Sequence, residues 1–198
     1  MIKKIIIYGA GGHAKSCIEV IESQKKYKII GLIGKKHELS KLIMGYKVIG
    51  TDRDLRTLIK KTKNIIIGIG SIKQNDIRKK IFIKLKTLGF NLPKIIASTS
   101  YVSKNAEILE GSIIFHHCFI NTGARVGKNC IINSGTIIEH DTLISDHCNV
   151  ATSVTINGNV SIGANTFIGS GSTIIQSIKI GKNSLIPMSS KVKKNNGK

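Results

Sequence analysis

Residues 132–162 read INSGTIIEHDTLISDHCNVATSVTINGNVSI, and within them Ile132, Ile138, Ile144, Val150, Ile156 and Ile162 stand six residues apart. The spacing runs on in both directions: every sixth residue from Val102 to Val192 is Ile or Val. Four residues after each aliphatic comes a second column, mostly small, that includes Ala106, Ser112, Cys118, Ala124, Cys130 and Thr136. The residue directly after the aliphatic is often glycine, as at Gly127, Gly163, Gly169 and Gly181. An α-helix cannot keep a period of six on one face, because 3.6 residues per turn would walk the stripe around the cylinder. A hairpin meander would carry turn signals every 8–12 residues instead. A solenoid of short strands, each ending at a corner, accommodates the pattern. The aliphatic side chains fill its lumen, and the small column packs near the corners.

The first hundred residues follow another pattern. Lys3–Tyr8 (KKIIIY) is a buried strand, followed by Gly9-Ala10-Gly11-Gly12 and an amphipathic stretch from His13 to Gln24. Further strands are expected at Lys28–Ile33, near Tyr46–Ile49 and at Asn64–Ile69, with helices over Asp52–Lys61 and Gln74–Leu88, the last ended by Gly89. Alternating strands and helices imply a small parallel sheet of Rossmann type. Leu92-Pro93 marks the passage to the solenoid, giving domains over 1–93 and 94–198.

Composition narrows the function. The net charge is +20, yet only Arg53, Arg56, Arg78 and Arg125 are arginines, and lysines are scattered along the whole chain with no aromatic interleaving. That argues against a nucleic-acid interface, while a positive field still favours anionic small molecules. The longest apolar runs, such as Ile5-Ile6-Ile7, are too short to span a bilayer. The N-terminus starts on a strand-like segment and not on a secretory signal, so a cytoplasmic protein is expected. The four cysteines, Cys17, Cys118, Cys130 and Cys148, have no metal-ligand spacing, and three fall in the small column; buried thiols and no metal site are expected.

The glycine loop alone is ambiguous. Its spacing, GxGGH, is not the full GxGxxG fingerprint, and the second strand runs into Gly34-Lys35-Lys36 where a dinucleotide site has an acidic residue. It reads equally as a tight strand-to-helix turn or as a place where backbone and helix N–H groups approach an anion.

Taken together, the two halves resemble one family. A Rossmann-like opening with YGAGGHAK (8–15), followed by hexapeptide repeats carrying INSGTIIEHD (132–141) and GNVSIG (158–163), resembles the sialic acid O-acetyltransferase-like and nucleotide-sugar N-acetyltransferase family. The likeness covers essentially the whole chain, including IRKKI at 77–81. It implies that the solenoid is a left-handed parallel β-helix with three hexads per triangular coil, so that residues eighteen apart stack about one strand spacing apart. It also implies acetyl-CoA as co-substrate, a nucleotide-activated amino sugar as acceptor, and a homotrimer with active sites shared between subunits.

On that resemblance His140 is the general base and Asp141 its orienting partner. Gly158, eighteen residues on, supplies an oxyanion-stabilising N–H. Acetyl-CoA is expected beside Asn149, Gly158, Ser170 and Met188, and the nucleotide-sugar beside Gly11, Gly12, His13 and Gly70. Of the other histidines, His37 reads as solvated, His116 and His117 as surface or subunit-contact residues, and His147 has no family counterpart. The chain departs from the family in four places. Asn149 replaces a second histidine, Gly34-Lys35 an acidic pair, Ile95-Ile96-Ala97-Ser98 the usual entry to the solenoid, and the tail past Val192 is short and Lys-rich. An O-linked acceptor such as sialic acid needs the same base, and a non-catalytic assembly subunit with this fold is the third reading.

Overall fold

The computed structural model describes residues 2–70 and 76–196. It divides into two compact units, one formed by residues 2–70 with 80–93 and the other by 76–79 with 94–196.

The first unit is an α/β layer structure. Strands β1 (Lys3–Tyr8), β2 (Tyr27–Ile33), β3 (Leu42–Ile43), β4 (Tyr46–Gly50) and β5 (Ile65–Ile67) form one sheet in the order β3-β4-β2-β1-β5. β1, β2, β4 and β5 are parallel, and β3 is an antiparallel edge. The sequence reading lacks β3, which turns into β4 through Met44 (φ 48°) and Gly45 (φ 81°), the two positive angles of a tight hairpin. Helix α1 (Gly12–Gln24) follows β1, and α2 (Leu55–Leu58) is far shorter than the expected helix, its first turn being a 3-10 turn at Asp52–Asp54. Thr51 caps that turn by accepting from the Arg53 N–H, while Asp54 reaches back to the Thr51 N–H at 2.8 Å. α3 (Asp76–Thr87) ends at Gly89 (φ +86°), where the Phe90 N–H closes on Leu85 O in a left-handed cap. The expected start of this helix at Gln74 lies outside the described residues. One face of the sheet buries Ile6, Ile33, Ile65 and Ile67 against Leu55, Leu58, Phe82 and Leu85.

The second unit is the expected solenoid. Two-residue strands from β6 (Ile95–Ile96) to β22 (Lys191–Val192) stack into three parallel sheets, so the repeat starts one hexad earlier than Val102. The first face carries lumen residues Ile96, Ile114, Ile132, Val150, Ile168 and Ile186, and the second carries Val102, Ile120, Ile138, Ile156, Ile174 and Val192. The third carries Ile108, Val126, Ile144, Ile162 and Ile180. Each pairs with the residue eighteen positions on, as Ile120 with Ile138 and Ile138 with Ile156.

Two rules hold the coils in register. The first concerns the small column, whose hydroxyls bridge coils. Ser112 Oγ donates to Gly127 O (2.6 Å) and accepts from the Cys130 N–H (2.8 Å). Thr142 Oγ1 does the same with Asn157 O and the Val160 N–H. A buried hydroxyl is thus satisfied on both sides, which is why polar residues survive in the lumen. Cysteines take the same place, Cys130 Sγ pointing at Ser145 O (3.2 Å), and burial pushes the Cys118 thiol up to about 11. The second rule is conformational. Every third residue after a lumen aliphatic, at intervals of six from Gly111 to Ser189, lies in the left-handed region. Gly, Asn, Asp, His and Ser all occupy it, although for L-residues this twist costs about 1–2 kcal/mol.

Candidate active site

His140 and Asp141 lie at the corner between the second and third faces, directly after the lumen residue Ile138. The chain turns there because Asp141 takes the left-handed twist (φ 58°), with its N–H donating to Thr122 O one coil below (3.1 Å). That twist carries its carboxylate back to the imidazole, and His140 Nδ1 meets Asp141 Oδ2 at 2.9 Å. An anionic carboxylate accepts only, so Nδ1 carries a proton, and in the neutral ring the lone pair is on Nε2. Both side chains are more than half exposed, at 55% and 67%.

The coils above and below leave room for this pair. A Cβ built on Gly158 would stand 2.5 Å from His140 Nε2 and 2.6 Å from Cε1, so the ring fills the space that a side chain at position 158 would take. A Cβ on Gly123 would collide with Asp141 Oδ1 from the other side. The dyad therefore occupies a slot one coil deep, made by two glycines. The Gly158 N–H finds no acceptor among the described residues, while its carbonyl accepts from the Ser177 N–H (2.9 Å). A basic nitrogen and an uncommitted N–H donor thus lie side by side.

The other expected acetyl-CoA contacts do not join them within one subunit. Asn149 is on the first face and buried, and its Oδ1 accepts from Asn133 Nδ2 at 3.2 Å. Ser170 and Met188 stack on each other at the corner between the first and second faces, with Met188 largely exposed. His147 is half-buried near the first turn of α3, where Asn129 Nδ2 faces its Nδ1 at 3.0 Å. Burial lowers its pKa, Lys79 and Arg78 add to the effect, and Asp146 opposes it. His116 Nδ1 meets Thr99 Oγ1 at 2.8 Å, away from the dyad's corner.

In the α/β unit the four expected substrate residues do converge. Gly9 (φ +127°) must be glycine, since a Cβ there would stand 2.7 Å from Gly68 O. Gly11 caps α1 without any side-chain bond, no acidic residue follows in the first turn, and Cβ atoms on Gly11 and Gly12 would meet nothing within 4 Å. His13 packs beside Gly70, whose Cβ would lie 3.3 Å from the His13 Cβ and Cγ. These residues cluster at the carboxyl ends of β1 and β5, with β2 on the other flank of β1. This is the switch point where open α/β sheets bind ligands. Sequence reasoning missed a polar network at the same edge. Tyr8 donates to Asp52 Oδ1 at 2.6 Å, and Lys84 bonds the other carboxylate oxygen. Burial and the Asp52 carboxylate raise the Tyr8 pKa. Burial pushes Asp52 up, but its bonds from Lys84 and Tyr8 outweigh that and hold it below the ordinary value.

Among the described residues no group of His, Cys, Asp and Glu is arranged to hold a metal ion, and no helix is long and apolar enough to cross a membrane.

Both units are similar to parts of known proteins. Residues 4–85 match the PglD N-terminal domain, and residues 159–188 match the hexapeptide repeat of succinyl-transferase. A histidine-to-asparagine mutant of perosamine N-acetyltransferase from Caulobacter crescentus, solved with CoA and GDP-perosamine, superposes with a TM-score of 0.91 at 25% identity. That match covers 99% of this chain and 91% of the other. The chain thus joins a PglD-type N-terminal domain to hexapeptide repeats, and over nearly its whole length it is similar to this perosamine N-acetyltransferase. A second solved structure, the acetyltransferase domain of PglB from Neisseria gonorrhoeae with acetyl coenzyme A, gives a TM-score of 0.90 at 25% identity over 99% and 93% of the two chains. WeeI from Acinetobacter baumannii shares the fold with a TM-score of 0.78 at 22% identity, over 98% and 93%. No curated protein sequence matches the chain.

Proposed function

We propose that this protein transfers the acetyl group of acetyl-CoA to the amine of a nucleotide-activated amino sugar, with His140 as general base. The observation that carries the reading is the dyad against Gly158, with Nε2 basic and an unused N–H beside it. The neutral amine attacks the thioester carbonyl, and Nε2 takes the proton that the amine releases. Asp141 stabilises the imidazolium formed. The Gly158 N–H holds the oxyanion of the tetrahedral intermediate. Collapse breaks the C–S bond, and the His140 proton leaves with the CoA thiolate, giving the amide and free CoA. Removal of the base costs about 10²–10⁴ in rate.

Nucleotide recognition is assigned to Gly11, Gly12, His13 and Gly70, where the α1 N-terminus offers N–H groups to phosphate. Asn149, Ser170 and Met188 are assigned to acetyl-CoA. Ser170 and Met188 sit on a different edge of the prism from His140, so only a neighbouring copy can bring them to the dyad. Exposed Tyr101, Phe119 and Ile137 on the second face, the first two stacked at 5.1 Å, give a second copy an apolar strip to cover. A homotrimer satisfies both requirements, and the supply of acetyl-CoA fits a cytoplasmic reaction.

The test is acetyl-CoA-dependent thiol release with nucleotide-linked amino sugars, compared between wild type and His140→Ala. Wild type is expected to yield one acetylated sugar per thiol, and the variant to lose nearly all turnover. Equal rates would overturn the assignment. Light scattering should return a mass of three chains, and a fully active monomer would remove the shared-site part.

A further inference from the structure

The end of β2 lacks the acidic residue that α/β nucleotide sites place there to accept the ribose hydroxyls, since the strand runs into Gly34-Lys35-Lys36. The fold nevertheless delivers a carboxylate to that point. The chain beyond β2 makes a 3-10 turn over Lys36–Glu38, and Glu38 folds back so that its Oε2 accepts from the Lys35 N–H at 2.6 Å. A Cβ built on Gly34 would stand 2.8 Å from that same Oε2 and 3.3 Å from the Glu38 Cβ. The carboxylate thus fills the volume that a side chain at position 34 would occupy. Position 34 adjoins the glycine loop, because the Gly9 N–H donates to Ile33 O at 2.8 Å, and the Gly34 N–H is tied to Gly50 O at 3.0 Å.

Capping the 3-10 turn engages one oxygen of Glu38. Its Oε1 has no hydrogen-bond partner among the described residues. Gly34 also has a reason to be glycine, since any side chain there would displace this carboxylate.

We propose that Glu38 is the ribose-reading residue of the substrate site: it accepts a hydrogen bond from a hydroxyl of the nucleoside diphosphate, in place of an acidic residue at position 34. The proposal rests on the nucleotide-sugar reading above. A hydroxyl donating to a carboxylate is a strong, charge-assisted contact, and a site built around such an acceptor discriminates against a ligand without the donor.

The experiment is calorimetric titration of the full chain with UDP and GDP and with their 2′-deoxy and 3′-deoxy counterparts. Wild type is expected to prefer the better-bound ribonucleotide over one deoxy form by about tenfold or more. Glu38→Gln keeps an oxygen for the Lys35 N–H but removes the charge. It should weaken the ribonucleotide about tenfold and leave the deoxy form unchanged, so the preference collapses. Glu38→Ala should behave alike, and Gly34→Asp combined with Glu38→Ala should recover the preference by returning a carboxylate to the same volume. A Glu38→Gln protein that keeps the wild-type preference overturns the role of Glu38 while leaving nucleotide binding standing. A wild-type protein that binds neither nucleoside diphosphate overturns the nucleotide reading itself, and this proposal with it.

Discussion

In the solenoid the stacking of one coil on the next links residues eighteen apart: Ile138 with Ile156, Gly158 with His140, Gly123 with Asp141. In the α/β unit the contacts follow no such count. Tyr8 reaches Asp52 across 44 positions and Asp52 reaches Lys84 across 32, while Glu38 doubles back only as far as Lys35. A repeating structure gives each residue near-equivalents above and below, so a functional residue stands out as the member of a column that its neighbours do not resemble. His140 shares its column with Thr122, Gly158 and Gln176. A non-repeating unit has no column to break, and its functional groups declare themselves only once the chain has folded.

The sharpest way to break this contrast is at the dyad. His140→Ala should lower kcat by about 10²–10⁴ with an unchanged melting curve, because the side chain is exposed and fills no core. Gly158→Ala should come next. The new methyl takes the space of the imidazole, and kcat should fall by about 10²–10³. Crystals of that variant should show the ring displaced. Normal turnover would mean that the ring does not act from this slot.

A pair of core truncations tests the difference in connectivity. Ile156→Ala and Ile6→Ala each remove a fully buried side chain, at a cost of about 2–5 kcal/mol. Hydrogen exchange should separate them. In the solenoid the loss of protection should centre on the coils adjoining Ile156, since stability there is a sum of nearest-neighbour terms. In the α/β unit the loss should spread through the whole sheet.

A smaller effect is expected at His147. Its pKa is depressed by burial and by the nearby Lys79 and Arg78. The fold therefore favours the neutral ring, and that stabilisation is present above the unfolded value of 6.5 and is lost as pH falls below it. Melting temperatures followed from pH 7.5 to 5.5 should decline more steeply for wild type than for His147→Asn, which extends the column of Asn129, Asn165 and Asn183. The least change is expected from Ser153→Gly at a left-handed corner (φ 56°). Relief of the twist, partly offset by a more flexible unfolded chain, should stabilise by about 0.5–1 kcal/mol, read as a small rise in denaturation midpoint.

Much of this was legible beforehand. The sixfold period gave the lumen, and the resemblance to hexapeptide-repeat acyltransferases implied the three faces and with them the stacking of Gly158 on His140. The same arithmetic separates Ser170 from the dyad, since 170 − 140 = 30 is not a multiple of eighteen. The left-handed corner column stayed hidden because five residue types fill it, and only its glycines advertise the backbone they adopt. In the α/β unit the strands of three or more residues were readable from their aliphatic runs. Strand β3 was not, because two residues joined by a Met-Gly turn carry too little pattern. The helix expected over Asp52–Lys61 shrank, since Thr51 and Asp54 cap a 3-10 turn at its start. Glu38 was invisible as a site residue because its position depends on that other 3-10 turn and not on any spacing.

The corner column has a further consequence, for descent. Its backbone asks only for a twist that Gly, Asn, Asp, His and Ser all adopt here, and none of these residues belongs to the aliphatic lumen core. A lineage can exchange the group at one corner without repacking the interior, and duplication of a coil carries all three corners along. New chemistry in such a scaffold can arise by a single substitution at an existing station. The α/β unit has no comparable freedom, since its polar network joins Tyr8, Asp52 and Lys84 from distant parts of the chain.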